Sequence, residues 1–113
     1  MENSYRAVNI AFIEEWARFS EKIGINSFEI INAIRKRPTH SNIRQPGFGV
    51  GGYCLTKDPY FASLSARQIF NVKSLDFPFS ELGVSTNDKM PLENVKMLKK
   101  VIKSFKNKNI LLL

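Results

Sequence analysis

The stretch Tyr5-Arg-Ala-Val-Asn-Ile-Ala-Phe-Ile-Glu-Glu-Trp-Ala-Arg-Phe-Ser-Glu-Lys-Ile23 decides how this chain begins to fold. Large apolar residues recur in it every three or four positions, which places them on one face of a helix; they are Tyr5, Val8, Phe12, Trp16, Phe19 and Ile23. The pattern predicts a long first helix whose apolar face is core or an interface. Gly24 is expected to end it as a left-handed cap, with Ile25 in contact just beyond.

A second helix is predicted after so short a turn that the two form a hairpin. Asn26 and Glu29 have the spacing of a capping box at its start. Pro38 is expected to end it, because the residue before a proline avoids the helical conformation.

Two further helices are predicted along the chain. Asp58 and Pro59 have the order of an N-cap followed by a first helical residue, for a third helix running to about Phe70. A fourth helical stretch is expected over Ser80–Lys106, interrupted or kinked near Pro91. The fold class predicted is therefore all-α, with about four helices.

Length and composition exclude several classes of protein. The chain has 113 residues, the size of one domain or one domain with part of another, and 43% hydrophobic residues, too many for a disordered chain. No apolar run approaches the roughly 20 residues that span a bilayer, and no signal peptide is evident, so a cytoplasmic location is expected. Cys54 and His40 are the only cysteine and histidine, which leaves no disulfide and too few ligands for a zinc site.

The basic excess raises nucleic acid as a partner. Seventeen Lys and Arg against ten Asp and Glu give a net charge of +7, and six of the lysines fall between Lys96 and Lys108. A solvated lysine-rich helix is the simpler interpretation. A small basic helical nucleic-acid-binding or adaptor protein remains the alternative, with binding that weakens steeply with salt.

The run Gln45-Pro-Gly-Phe-Gly-Val-Gly-Gly-Tyr-Cys54 has four glycines in six positions. Such a segment lets backbone N–H groups approach a ligand. Lys57 and the positive end of the next helix would favour a Cys54 thiolate, and Asp58 could accept a proton or orient a water. One interpretation is a cysteine nucleophile beside a substrate cradle; the other is an inert loop of glycine turns with a small thiol.

The last residues differ in character from the helices. Asn109-Ile-Leu-Leu-Leu113 follows a lysine-rich helix end and is typical of a buried parallel strand. We therefore expect residues 1–106 to be one domain and residues 107–113 the truncated start of another.

Three motifs carry a family resemblance. They are Glu2-Asn-Ser-Tyr-Arg-Ala-Val-Asn-Ile-Ala-Phe12, the run Gln45–Cys54 with Asp58-Pro59, and Ser85-Thr-Asn-Asp-Lys-Met-Pro91. Together they resemble the central domain of the UDP-glucose/GDP-mannose dehydrogenase family, and the first motif is most similar to its UDP-N-acetyl-D-mannosamine dehydrogenase branch. The resemblance implies a helical bundle-like domain similar to the C-terminal domain of 6-phosphogluconate dehydrogenase.

The resemblance also implies an activity. Enzymes of the family oxidise the C6 alcohol of a nucleotide sugar to the acid in two NAD-dependent steps. An N-terminal Rossmann domain holds NAD, the central domain forms the dimer, and a C-terminal domain binds the nucleotide. The partners implied are a UDP-sugar and a second copy of the chain, with neither nucleic acid nor membrane.

Roles for single residues follow from the same resemblance. Cys54 matches the nucleophile that forms a thiohemiacetal and then a thioester, Asp58 the residue that organises the hydrolytic water, and Asn3 the amide that steadies the oxyanion. The positions that match the lining of the nucleotide-sugar site are Tyr5, Asn42, Gln45, Gly51 and Gly52. Arg37 or His40 lies near the position where the family has an arginine that reaches across the dimer.

Parts of the family pattern are not found in the chain. The family's active-site lysine would fall four residues before Asn3, ahead of Met1, and no Gly-x-Gly-x-x-Gly fingerprint precedes the first helix. The chain is therefore expected to be a fragment that supplies the nucleophile and the dimer surface, binds no cofactor itself and does not oxidise alone. A dimerisation module with an inert glycine loop is the second alternative.

Overall fold

The computed structural model describes residues 1–111, and these form four α-helices and two short 3-10 turns. The helices are α1 (Glu2–Lys22), α2 (Ser27–Arg35), α3 (Phe61–Gln68) and α4 (Pro78–Val101), and the 3-10 turns are Pro38–His40 and Asp58–Tyr60. The prediction of an all-α fold is confirmed. Among residues 1–111, no helix has both the length and the apolar character needed to cross a membrane.

The turn between α1 and α2 is built from the predicted caps. Gly24 has φ of +73°, and the N–H of Ile25 donates back across the last turn of α1 at 2.9 Å. The Asn26 Oδ1 accepts the N–H of Phe28 at 3.0 Å. The capping box is only partly formed, because the Glu29 carboxylate accepts from the Asn26 side-chain amide and not from its backbone N–H.

The core lies mainly between α1 and α4, where small side chains are buried beside larger ones such as Ile13, Val84 and Met90. Ala7, Ala11 and Ala17 are buried on α1, and Gly83 is buried on α4. A Cβ added to Gly83 would lie 3.1 Å from Cγ2 of Val8, so the two helices are in close backbone contact. Helices can approach this closely only where side chains are small.

The predicted apolar stripe of α1 is therefore not the core. Its aromatic members are half exposed, together with the isoleucine at its end; they are Tyr5 (56%), Phe12 (54%), Trp16 (53%), Phe19 (52%) and Ile23 (51%). The rings contact one another, with centroids 6.2 Å apart for Phe12 and Trp16 and 6.0 Å apart for Trp16 and Phe19. We call this face, residues 5, 12, 16, 19 and 23, the aromatic face.

Two helix boundaries differ from the prediction. α3 begins at Phe61, because Asp58 lies in a 3-10 turn and its side chain caps no backbone N–H. α4 runs without interruption through Pro91 to Val101, so the predicted interruption is wrong and the helix ends before Lys106, while a kink at Pro91 stays a prediction. Proline removes one backbone N–H, and packing against α1 is enough to hold a helix together across that loss.

The predicted C-terminal strand is not seen in residues 109–111, which are exposed and irregular. A strand needs a neighbouring strand for its backbone hydrogen bonds, and residues 1–111 contain none. Leu112 and Leu113, the rest of that predicted strand, lie outside the described residues.

The described residues are elongated. Their radius of gyration is 17.2 Å, against about 13 Å for a compact domain of this length. An extended shape leaves much apolar side-chain surface open to solvent, including the aromatic face.

Candidate functional site

The glycine-rich segment, residues 45–54, is attached to both long helices. The N–H of Gly47 donates to Oε1 of Glu14 on α1 at 2.8 Å. Gly49 has φ of +95°, and a Cβ there would lie 2.7 Å from the backbone oxygen of Asn87 and 2.8 Å from Cβ of Met90 on α4. Only glycine satisfies both the conformation and the space at position 49.

The segment meets α4 at its internal proline. Pro91 has no N–H, so the carbonyl of Asn87, four residues earlier, loses its usual helical donor. A Cβ at Gly49 would also lie 3.5 Å from Cδ of Pro91. The Asn87 side chain is buried and donates to the carbonyl of Ala7 at 3.0 Å, which links this point to α1.

Cys54 lies on a turn that leads into the second 3-10 turn, Asp58–Tyr60. Its carbonyl accepts the N–H groups of Lys57 at 3.2 Å and Asp58 at 2.9 Å, and its thiol is free and exposed. The Lys57 ammonium lies 3.9 Å from the ring centroid of Tyr53 and 5.0 Å from that of Phe61. Cation–π contacts hold this positive charge within the same turn as the thiol.

Asp58 contacts Asn3 and Lys57. Nδ2 of Asn3 donates to its Oδ2 at 2.7 Å, and the Lys57 ammonium lies 3.5 Å from its Oδ1. Asn3 and Asp58 are both partly buried and lie on the wall of a cavity of about 570 Å³ between the N-terminal ends of α1 and α4 and the helix α3. The structure therefore brings together two of the three predicted catalytic residues, and it links Asp58 to Cys54 by one turn of backbone.

The predicted substrate positions form a second group. Nδ2 of Asn42 lies 3.5 Å from the hydroxyl of Tyr5. Both Nε and Nη2 of Arg35 donate to the carbonyl of Ile43, at 2.9 and 2.6 Å, which holds the loop beside Asn42. Asn3 and Tyr5 are two positions apart on α1, so their side chains leave the helix about 160° apart. The two groups thus occupy different sides of α1.

The other predicted positions are exposed. Gln45, Gly51 and Gly52 are on the surface, and no hydrogen bond joins them to the other candidates. Arg37 and His40 are exposed as well, and Nδ1 of His40 lies 2.8 Å from the hydroxyl of Thr39. A contact of Arg37 or His40 across a dimer stays a prediction.

Glu14 is a part of the site that the sequence analysis missed. Its side chain is only 2% exposed, and burial raises its pKa above the ordinary 4.5, while the Gly47 N–H and the charge of Arg18 act in the opposite direction. A usable signal was in the sequence, because Glu14 continues the helical spacing of Ala7 and Ala11. An acid within a row of small side chains indicates a buried carboxylate with a partner.

The described residues do not form a metal or a dinucleotide site. No group of three or more His, Cys, Asp or Glu side chains lies together among residues 1–111. Gly47, Gly49 and Gly52 have Gly-x-Gly-x-x-Gly spacing, but this segment follows no strand and opens no helix, as a dinucleotide fingerprint must. The residues present therefore do not fit NAD.

The fold and the sequence agree with one family. Residues 1–89 match the model of the UDP-glucose/GDP-mannose dehydrogenase family, central domain, and the chain belongs to this family. The UDP-N-acetyl-D-mannosamine dehydrogenase of Methanocaldococcus jannaschii is 43% identical over 106 residues, which cover 91% of this chain and 22% of the relative. The enzyme of the same name from Methanococcus maripaludis is 46% identical over 91 residues, which cover 80% of this chain and 19% of the relative.

Solved structures are similar as well. The UDP-D-ManNAc dehydrogenase of Pyrococcus horikoshii has 33% identity and a TM-score of 0.74, over 91% of this chain and 23% of that one. The NDP-N-acetyl-D-galactosaminuronic acid dehydrogenase of Methanosarcina mazei has 28% identity and a TM-score of 0.78, over 95% of this chain and 24% of that one. The chain spans about a fifth to a quarter of the length of these dehydrogenases.

Proposed function

We propose that this chain supplies the nucleophile and the dimer surface of an NAD-dependent nucleotide-sugar 6-dehydrogenase. The substrate proposed is a UDP-sugar of the UDP-N-acetylmannosamine or UDP-glucose type, and the product is its uronic acid. The observation that carries the proposal is the 2.7 Å hydrogen bond between Asn3 and Asp58, residues 55 positions apart. The Asp58 carboxylate accepts this hydrogen bond from Asn3 and caps no helix N–H, which supports a chemical role for it.

Covalent capture is assigned to Cys54. Its thiolate would add to the C6 aldehyde of the sugar, forming a C–S bond as the carbonyl oxygen takes a proton. The Lys57 ammonium is held in the same turn by the rings of Tyr53 and Phe61. Oxidation of the C6 alcohol to the aldehyde, and of the thiohemiacetal to the thioester, each removes a hydride and a proton and needs a hydride acceptor. We assign that acceptor, NAD, to another domain and expect this chain to oxidise nothing alone.

Release of the acid is assigned to Asn3 and Asp58. Asp58 would orient a water and take its proton as the water oxygen attacks the thioester carbon. The Asn3 amide has two N–H groups, of which one is bound to Asp58, and the other is available to the developing oxyanion. Collapse of the adduct breaks the C–S bond and returns Cys54 as thiolate.

Recognition of the nucleotide sugar is assigned to the group of predicted substrate positions around Tyr5 and Asn42. Tyr5 and Asn42 lie 3.5 Å apart there, and an aromatic ring beside an amide suits a sugar or a base. Gln45, Gly51 and Gly52 would complete this lining. Residues 1–106 remain our proposed domain, and residues 107–113 the proposed start of a nucleotide-binding one.

Dimerisation is assigned to the aromatic face of α1. Apart from Tyr5, which is assigned to the substrate, four large apolar side chains of this face are about half exposed, and together they form an apolar patch typical of an interaction surface. A second copy would cover them, and Arg37 or His40 would then reach the partner's site. The elongated shape of the described residues supports this assignment.

The test uses a chimera in which residues 1–111 replace the matching segment of the P. horikoshii dehydrogenase. With UDP-N-acetylmannosamine or UDP-glucose and NAD, Cys54→Ser is expected to abolish uronate formation. Asp58→Asn is expected to accumulate acylated Cys54, seen as added mass on the intact protein, because hydrolysis is slowed. Wild-type turnover by Cys54→Ser would overturn the proposal, and Cys54→Ala is the control that must show no adduct.

A further inference from the structure

We propose that Glu14 is a positioning residue, whose side-chain oxygen fixes the path of the glycine-rich segment and so the place of Cys54. The importance of Cys54 rests on the proposed function. The contact between Glu14 and Gly47 does not, and it can be tested separately.

The burial of Glu14 calls for an explanation. A buried carboxylate costs free energy that an alanine would not, unless a specific partner compensates it. Its partner is the N–H of Gly47 at 2.8 Å, a backbone donor from outside both helices. Arg18, one turn further along α1, supplies an opposite charge while its Nη1 contacts Sδ of Met90 on α4 at 2.7 Å. Glu14 is thus placed to hold the segment and does not simply pair with its neighbour.

The contact between Glu14 and Gly47 influences the position of Cys54 through the path of the glycine-rich segment. Gly49, two residues after Gly47, packs on α4 through van der Waals contact with Asn87 and Met90. That contact fixes how close the chain comes, whereas a hydrogen bond also fixes its direction. Attachment to α1 at Gly47 and to α4 at Gly49 therefore sets where the segment leaves the helices on its way to Cys54.

The experiment compares three variants of this chain. Glu14→Leu removes the acceptor at similar size, Glu14→Gln keeps an acceptor oxygen, and Glu15→Leu changes the exposed neighbour as a matched control. Amide hydrogen exchange at Gly47 is read by NMR beside that of core amides such as Val84. The rate of Cys54 alkylation by iodoacetamide is the second readout.

We expect Glu14→Leu to raise exchange at Gly47 about tenfold relative to the core amides, the effect of losing one charge-assisted hydrogen bond. The alkylation rate of Cys54 should change with it. Glu14→Gln should stay within about threefold of wild type at both positions, since its amide oxygen still accepts, and Glu15→Leu should change neither. Rescue by glutamine separates positioning from a mere need for charge.

Several outcomes would overturn the proposal. One is unchanged Gly47 exchange in Glu14→Leu, and another is a rise shared equally by the core amides, which would indicate general destabilisation. If Glu14→Leu fails to fold, Glu14→Gln decides: a protected Gly47 amide supports the proposal, and an unprotected one overturns it. Failure of the proposed function would appear elsewhere, as wild-type turnover of Cys54→Ser in the chimera with Gly47 exchange unaffected.

Discussion

The two faces of α1 are built from side chains of very different size. Ala7 and Ala11 are buried on the side of α1 that packs on α4, whereas the large rings of Phe12 and Trp16 are half exposed on the other side. Hydrophobicity alone would have placed the rings inside. The difference shows that closeness of approach, here set by Gly83 against Val8, decides which face of a helix becomes core.

The largest effect is expected from enlarging the small face. Ala7 is 0% exposed, so Ala7→Leu must push α1 and α4 apart, and we expect a loss of about 3 kcal/mol in the free energy of unfolding. Urea unfolding followed by circular dichroism measures it. Leucine in place of the exposed Glu15 is the control and should cost less than about 0.5 kcal/mol. Equal midpoints for the two variants would contradict the packing argument.

A smaller loss in the free energy of unfolding is expected at Gly49, where the glycine-rich segment packs against α4. Gly49→Ala adds a methyl group against the Asn87 carbonyl in a left-handed conformation, so we expect a loss of about 2 kcal/mol. Gly51→Ala is the matched control, since a Cβ there has no atom within 4 Å. Urea midpoints are again the measurement, and an equal effect of the two substitutions would show that position 49 is not a point of attachment.

On the aromatic face the effect on association should be larger than the effect on folding. Trp16→Ala removes two ring contacts from a half-exposed site, at a cost of about 1 kcal/mol to unfolding. If this face joins two copies, the dissociation constant of the dimer should rise at least about tenfold, measured by analytical ultracentrifugation. Glu29→Ala on exposed α2 serves as the control. Association unchanged in Trp16→Ala would remove the aromatic face as the dimer surface.

The smallest effect concerns the one charge on the buried face. Burial raises the pKa of Glu14 above 4.5. Between 4.5 and the raised pKa, Glu14 is therefore more protonated in the folded chain than in the unfolded chain. Stability should therefore fall as pH rises from about 4.5 through the raised pKa, and stay level above it. Glu14→Gln should lack this part of the pH dependence in urea titrations between pH 4 and 7. Identical profiles for wild type and Glu14→Gln would contradict the raised pKa.

Local signals in the sequence were sufficient for the helix ends nearest to them. Gly24 and Asn26 act on backbone groups within a few residues, and both cap as predicted. Which face of α1 is buried depends on Gly83, far along the chain, and no periodicity within α1 contains that information. The capping role of Asp58 was lost for the same reason, since its carboxylate binds Asn3, 55 positions away.

The candidate site was predictable to a smaller extent. Cys54, its glycines and a proton-accepting role for Asp58 were found from the local sequence, but the role for Asn3 came only through the family resemblance. Their contact and the cavity beside them depend on how α1 packs on α4. Glu14 was overlooked because its significance requires a partner, Gly47, that lies outside the helix.

The meeting of Gly49 with α4 at Pro91 has a consequence for protein engineering. The glycine-rich segment cannot be transferred to another protein by itself, because Gly49 packs against the Asn87 carbonyl of α4. That carbonyl lacks its helical donor because Pro91 has no N–H. Grafting residues 45–54 onto another helical scaffold would require the Asn87 and Pro91 positions to travel with them. Natural variation at 49 and 91 should likewise be correlated, so a sequence library that randomises one alone will yield mostly unusable members.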